Sequence, residues 1–139
     1  MAEILAFRAE NSGFDAAVAS ESHRLGELYL LIGRPSEAEP RFRTAVELSR
    51  KIHGSDHFIV ASSLFGLADA MAAIGHADPA VSTLQEALNI VQTTYGVEHP
   101  QTAYYLERLA SALDAAGRHS DADITRANAV AIRRRFRPA

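Results

Sequence analysis

The sequence predicts an all-α protein, a solenoid in which antiparallel helix pairs stack on one another. Three observations support this fold class. The chain repeats itself with a step of 42 residues, which is the separation of Gly54 from Gly96. Apolar residues recur with the period of about 3.6 residues that helices have, and glycines stand where the predicted helices end. Such repeats are typical of stacked units that bury their apolar faces against their neighbours.

The repeat aligns many columns across the chain without a gap. It divides the chain into units near 19–60, 61–102 and 103–139, which we assign to a single domain spanning residues 1–139. One spacing explains all of these columns, so the repeat is a strong signal. The aligned sets are Gly33, Gly75 and Gly117; Leu25, Leu67 and Leu109; Ala38, Ala80 and Ala122; and Ala45, Ala87 and Ala129.

The first unit shows the sequence pattern that predicts each helix pair. A helix over 14–32 is predicted by the stripe of Leu25, Leu28, Tyr29 and Ile32, which we expect to face inward, and Gly33 ends it. A second helix over 36–53 begins at Ser36, a good N-cap residue. Its stripe and its end are formed by Ala38, Phe42, Ala45, Leu48 and Gly54.

The remaining helices follow from the same register. We expect them near 58–74, 78–95, 100–116 and 120–136. Asp78 suits the N-cap of the second of these, with Pro79 at its first position, and Pro100 suits the start of the third. Residues 2–11 align with the second helix of a preceding unit, so we predict a separate N-terminal helix there, followed by a turn at 11–13.

These residues resemble the tetratricopeptide repeat family. Leu25, Gly26 and Tyr29 match the leucine, small and aromatic residues of its first helix. The second helix of the family has alanine, a large residue and alanine, matched by Ala38, Phe42 and Ala45. The longer step, the His-Pro turn at 99–100 and the motif GRPSEAE at 33–39 resemble the kinesin light chain type of repeat. The resemblance implies a right-handed superhelical solenoid whose first helices line a concave, peptide-binding groove.

The expected groove consists of residues on the first helices that point away from the inward stripes, since a helix turns about 100° per residue. Two of them, Phe65 and Tyr104, are aromatic, and several are acidic, which suggests a ligand with some positive charge. The function we expect is binding of a partner peptide or protein segment. The predicted groove residues are His23, Glu27, Phe65, Asp69, Tyr104, Glu107 and Ser111.

The last helix suggests a second surface. Ile124, Val130, Ile132 and Phe136 are apolar but point in several directions, so they cannot all face the preceding helix. We therefore expect this helix to pack against a second copy in a homodimer, or the chain to be cut from a longer array. Two alternative functions stay open: a self-associating scaffold, and a ligand-sensing or regulatory fragment of a larger signalling protein.

Composition argues against several other classes. The net charge of -3 disfavours nucleic-acid binding, and we expect the basic run at 133–137 to complement a helix C-terminus. The absence of cysteine and of catalytic motifs leads us to expect no enzyme, cofactor or metal site, although His53 and His57 are four residues apart. No apolar run is long enough to span a bilayer, and the first residues are not a signal peptide. We expect a cytoplasmic protein.

Overall fold

The computed structural model describes the backbone of residues 2–136 and the side chains of residues 13–136. This part of the chain contains helices and no strand. Each helix packs against the next, and α1, α3 and α5 also contact one another in sequence. The predicted all-α stack of helix pairs is confirmed. The helices are α1 (Ala2–Leu31), α2 (Pro35–His53), α3 (Phe58–Ile74), α4 (Ala77–Tyr95), α5 (Pro100–Ala115) and α6 (His119–Arg135).

Glycines end or follow the helices, as the repeat predicts. All five glycines of the interhelical turns have a positive φ, from 75° at Gly33 to 100° at Gly75 and Gly96. At the first turn the Gly33 N–H donates to the Leu30 carbonyl, and the Arg34 N–H donates to the Tyr29 carbonyl at 2.8 Å. This pair of bonds is a Schellman motif, which satisfies carbonyls at the end of α1. It requires a residue in the left-handed backbone conformation, which glycine adopts most freely.

The predicted N-caps Ser36 and Asp78 are wrong. The helices α2 and α4 start earlier, with Arg34 and His76 as N-caps that offer no side-chain hydrogen bond. The reason is the tightness of the turn. Arg34 donates its N–H to the end of α1, and its carbonyl already accepts the Ala38 N–H at 3.1 Å as the first bond of α2.

Side-chain caps occur instead at the turns between helix pairs. Nδ1 of His57 accepts the backbone N–H of Ile59 at 3.1 Å, and Nδ1 of His99 accepts that of Gln101 at 3.0 Å. Each imidazole therefore satisfies one free donor in the first turn of α3 or α5. The two histidines of the repeated turn are N-caps, and Pro100 begins α5 as predicted.

The predicted turn at 11–13 and the separate N-terminal helix near 2–11 are also wrong. The helix α1 runs without interruption from Ala2 to Leu31. Gly13 has no positive φ and stands in open space. A glycine inside a helix costs only about 1 kcal/mol, and nothing near Gly13 favours a reversal of the chain.

Small residues let the first three helices meet. The Phe42 side chain of α2 is fully buried, with its ring against Gly26 of α1 and Gly66 of α3. A Cβ at Gly26 would lie 2.8 Å from the ring, and one at Gly66 would overlap it. The large residue of α2 thus requires glycine on both neighbouring helices.

The inward stripe predicted for α1 is only partly correct. Ser22 and Gly26 are buried and Leu25 is half-buried, whereas Leu28 is 50 % exposed and Ile32 is 64 % exposed. The helix α1 packs mainly against α2. The face that it buries is consequently a narrow one of small residues.

Candidate functional site: a groove across α1, α3 and α5

A cleft of about 480 Å³ crosses the first helices of the three pairs. It is lined by α1 through His23 and Glu27, by α3 through Phe65, and by α5 through Tyr104. Phe42 reaches it from below. The predicted groove therefore coincides with a real depression in the part of the chain that the structure describes.

An aromatic cluster forms the middle of this cleft. The ring of Phe65 stacks on that of Tyr104 with centroids 5.2 Å apart, and lies 4.9 Å from the ring of Tyr105. The guanidinium of Arg108 lies over Phe65, 5.4 Å from its centroid. Tyr105 is buried, Phe65 is half-buried and Tyr104 is 45 % exposed. Tyr104 is the aromatic surface that a ligand can reach.

His23 joins α1 to its neighbours at one end of the cleft. Its Nδ1 lies 3.2 Å from Oγ of Ser63, and its Nε2 lies 3.3 Å from Oε1 of Glu27. The edge of the imidazole meets Phe42 at a centroid distance of 5.5 Å. The ring is half-buried, so it positions helices as well as facing the cleft.

The acidic residues of the predicted groove are largely neutralised. Asp69 lies 3.5 Å from Nε of Arg108, and burial raises the pKa of its carboxyl although Arg108 opposes this shift. Glu107 accepts a hydrogen bond at 3.0 Å from Nε of Arg133 on α6, which raises the pKa of that guanidinium. Glu27 remains exposed. The lining of the cleft is therefore mainly aromatic and only weakly acidic.

The structure brings five of the predicted groove residues together and leaves two outside. His23, Glu27, Phe65, Asp69 and Tyr104 all line the cleft. Glu107 does not line it, and Ser111 lies in an adjacent depression of about 250 Å³. Leu31, Tyr105 and Arg108 also line the cleft and were not predicted. Arg108 is four residues after Tyr104 on one helix face, and this spacing was the signal for it.

A second depression of about 390 Å³ lies between α1, the end of α2 and the start of α3. It contains His53, whose ring stacks on that of His57 with centroids 4.5 Å apart. The side chains described at 13–136 contain no group of three residues suited to hold a metal ion. His57 instead uses its Nδ1 as an N-cap.

The apolar residues of α6 do not share one surface. Ile132 is buried with Ala122 and Ala129, so its place in the predicted self-association surface is wrong. Ile124, Val130 and Phe136 are exposed, but steps of six residues turn successive side chains by about 120° around the helix.

The basic end of α6 is engaged within the chain. Arg133 pairs with Glu107, and Arg135 pairs with Glu98. Three arginines occupy the last turn of the helix, where cations are favoured by its dipole. In the described part of the chain, no helix combines the length and the apolar character needed to cross a membrane.

Comparison with known proteins gives a consistent result. A family model described as tetratricopeptide repeat matches residues 16–93, which is more than half of the chain. None of the curated proteins compared with the chain matches it.

Similar solved structures share the fold. The repeats of a kinesin light chain-like protein from Podosopora anserina are 28% identical, with a TM-score of 0.77 over 86% of this chain and 56% of that one. BtubC (BKLC) from P. vanneervenii is 24% identical, with a TM-score of 0.81 over 97% of this chain and 56% of that one. The TPR domain of Arabidopsis FLU is 15% identical, with a TM-score of 0.74 over 84% of this chain and 95% of that one.

Proposed function

The chain belongs to the tetratricopeptide repeat family, with repeats of the kinesin light chain type, and on this premise we propose that its groove binds a segment of a partner protein. Proteins with this fold generally serve as protein–protein interaction modules and are typically non-enzymatic scaffolds. The observation that carries the proposal is the half-exposed ring of Tyr104, held on the stacked ring of Phe65 in the cleft.

The partner segment lies extended across α1, α3 and α5 and places an apolar or aromatic side chain against Tyr104. This ring is already fixed by its stacking on Phe65, so little side-chain entropy is lost on binding. Rigid aromatic residues with one exposed face are frequent anchors of such contacts. Glu27 is the exposed carboxylate of the cleft and attracts a lysine or arginine at one end of the segment.

A peptide-display selection against the whole chain provides the ligand for a test. The affinity of the selected peptides is then measured by fluorescence anisotropy for the natural chain and for Tyr104→Ala. We expect Tyr104→Ala to weaken binding by about 30-fold, which corresponds to a loss of about 2 kcal/mol from a truncated anchor.

Ile124→Ala is the matched control, because Ile124 is also an exposed large apolar residue and lies outside the cleft. It should leave affinity within about twofold of the natural chain, since exposed residues away from an interface contribute little. Equal helicity by circular dichroism excludes unfolding as the cause. Unchanged affinity in Tyr104→Ala would reject the groove as the site.

A further inference from the structure

One face of α1 is exposed along its described length and carries a heptad pattern. Its residues recur at alternating steps of three and four, the spacing of a two-helix seam. All are exposed, including Phe14 at 67 % and Leu31 at 81 %. The face lies roughly opposite the buried stripe of Ala19, Ser22 and Gly26. The residues of this outer face are Phe14, Ala17, Glu21, Arg24, Leu28 and Leu31.

The equivalent face is covered in part, near its middle, in the other first helices. In α3, which packs against α2, the corresponding residues Ser63, Gly66 and Ala70 are buried. In α5, which packs against α4, Tyr105 and Ala112 are buried in the same columns. Within residues 13–136 no helix covers this face of α1. The middle of the face, at Glu21, Arg24 and Leu28, is therefore exposed in α1 where the equivalent residues of α3 are buried, whereas the columns of Phe14, Ala17 and Leu31 are exposed in α3 as well.

The outer face is complementary to itself when reversed. In an antiparallel helix pair each a position packs against a d position of the other helix. In the register that sets residue 14 against residue 31, Phe14 meets Leu31 and the large Leu28 meets the small Ala17. At the centre Glu21 meets Arg24, and the symmetry of the pair makes this contact twice. In a parallel pair Glu21 would face Glu21 and Arg24 would face Arg24, with like charges in contact.

We infer that the outer face of α1 binds a second copy of this chain, with the two α1 helices antiparallel. The contact spans residues 14–31, a length of about 26 Å at a rise of about 1.5 Å per residue. Half-buried Val18 and Leu25, together with exposed Ile32, widen it along one side. Glu21 and Arg24 take part in no ion pair within the described residues and find their partners across the seam.

The central charges decide in favour of a second copy over other occupants. A lipid surface requires an uninterrupted apolar face, and Glu21 with Arg24 interrupts this one. The exposed outward side of α6 carries the charged residues Asp123, Arg126 and Arg133, which do not complement the apolar residues of the outer face. Only the same face, reversed, matches every position.

Charge reversal tests the inference directly. Sedimentation equilibrium of the natural chain at tens of micromolar should give twice the mass of one chain. Glu21→Arg and Arg24→Glu should each raise the dimer dissociation constant by about tenfold or more, because two attractive contacts become repulsive. An equimolar mixture of these two variants should form a heterodimer, since each reversed charge then meets its opposite. The double variant Glu21→Arg, Arg24→Glu should dimerise like the natural chain.

A disulfide trap tests the register. The chain has no cysteine, so Ala17→Cys with Leu28→Cys introduces the only two thiols. Oxidation should link Cys at one position to Cys at the other across the pair and give a covalent dimer, whereas Ala17→Cys alone should not. Both sites are exposed, so neither substitution disturbs a core.

The control is Val130→Lys, which places a charge on the exposed apolar side chain of α6. It should leave the dimer intact. Dissociation by Val130→Lys together with unchanged mass in both charge reversals would overturn the inference and assign self-association to α6. A mass of one chain for the natural protein at every concentration would overturn it as well.

Discussion

The helices α4 and α6 occupy equivalent places in successive pairs, yet only part of their sequence is equivalent. Three columns are kept: Ala80 corresponds to Ala122, Ala87 to Ala129 and Ile90 to Ile132. All six side chains are buried. Among the described helices α6 packs only against α5, so these columns are the ones that face the first helix of the same pair.

The other buried columns of α4 change character in α6. The helix α4 also packs against α5, the first helix of the following pair, and buries four further apolar residues. In α6 three of the four equivalents are charged and all are exposed. The pairs are Val81 and Asp123, Leu84 and Arg126, Leu88 and Val130, and Val91 and Arg133.

The difference shows that a column of the repeat is buried only where a neighbouring helix packs against it. Contacts inside a pair recur in every unit, so their columns stay apolar. Contacts between pairs depend on the helix that packs against the outward side, and in α6 the residues of that side are mostly charged. Arg126 pairs with Asp114 at 2.5 Å and with Asp123 at 3.3 Å, while Arg133 pairs with Glu107. The outward side of α6 is therefore charged where that of α4 is apolar.

The largest effect is expected when a residue of α6 replaces its equivalent in α4. Leu84 is buried on α4 beside residues of α3 and α5, so Leu84→Arg removes apolar burial and forces an unpaired charge into the core. We expect a loss of about 3–5 kcal/mol in the free energy of unfolding. Urea denaturation followed by circular dichroism measures it. A loss below about 1 kcal/mol would mean that Leu84 is not part of an essential contact.

A smaller effect is expected from changing the fit between the large residue of a second helix and the small residue that it packs against. Phe42 requires Gly66, whereas Leu84 faces a unit with Arg108 in the corresponding place. Gly66→Ala should cost about 1–3 kcal/mol of stability through overpacking against the Phe42 ring. The double variant Phe42→Leu, Gly66→Ala should be more stable than the sum of the two single changes predicts, and a double-mutant cycle in urea measures that coupling. Simple additivity would contradict the proposed contact.

The smallest effect is expected on the outward side of α6. Arg126 is exposed, so Arg126→Leu should change the free energy of unfolding by no more than about 0.5 kcal/mol. Its effect should appear in the titration of Asp114. Hydrogen bonds from His119 and then from Arg126 hold the pKa of that carboxyl below its usual value of 3.8, and losing Arg126 should raise it.

The sign of the pH dependence follows from the lowered pKa. Asp114 contributes stability in full above the pKa of the unfolded chain, near 3.8, and loses it as the pH falls from there through the lowered folded value. An NMR titration of the Asp114 carboxyl carbon in the natural chain and in Arg126→Leu checks both points. Identical titration curves would show that Arg126 does not act on this carboxylate.

The helices were predictable because their signals are local. A glycine that needs a positive φ ends each helix wherever it stands, so Gly33, Gly75 and Gly117 set the boundaries from sequence alone. The N-caps of α2 and α4 were not predictable in this way. In a Schellman turn the residue after the glycine belongs to both helices, so the N-caps are Arg34 and His76. The uninterrupted α1 was missed because Gly13 was interpreted as a turn residue although nothing opposes its helical conformation.

The groove was predictable in position and less so in charge. Helical geometry placed Phe65, Asp69 and Tyr104 on neighbouring first helices, and the structure brings them into one cleft. The neutralisation of its acids depends on pairs between helices, such as Glu107 with Arg133, which no local pattern reveals. The burial of Ile132 likewise depends on the packing of α6 against α5.

The shared residue of each Schellman turn has a mechanical consequence. At Arg34 one residue closes α1 and opens α2, so the connection holds no slack. Inside a pair, a pulling force along the chain therefore passes from the first helix to the second with no loop to extend first, whereas residues 54–57 and 96–99 separate one pair from the next. Under force, each helix pair should therefore open as a unit and release a long stretch of chain at once.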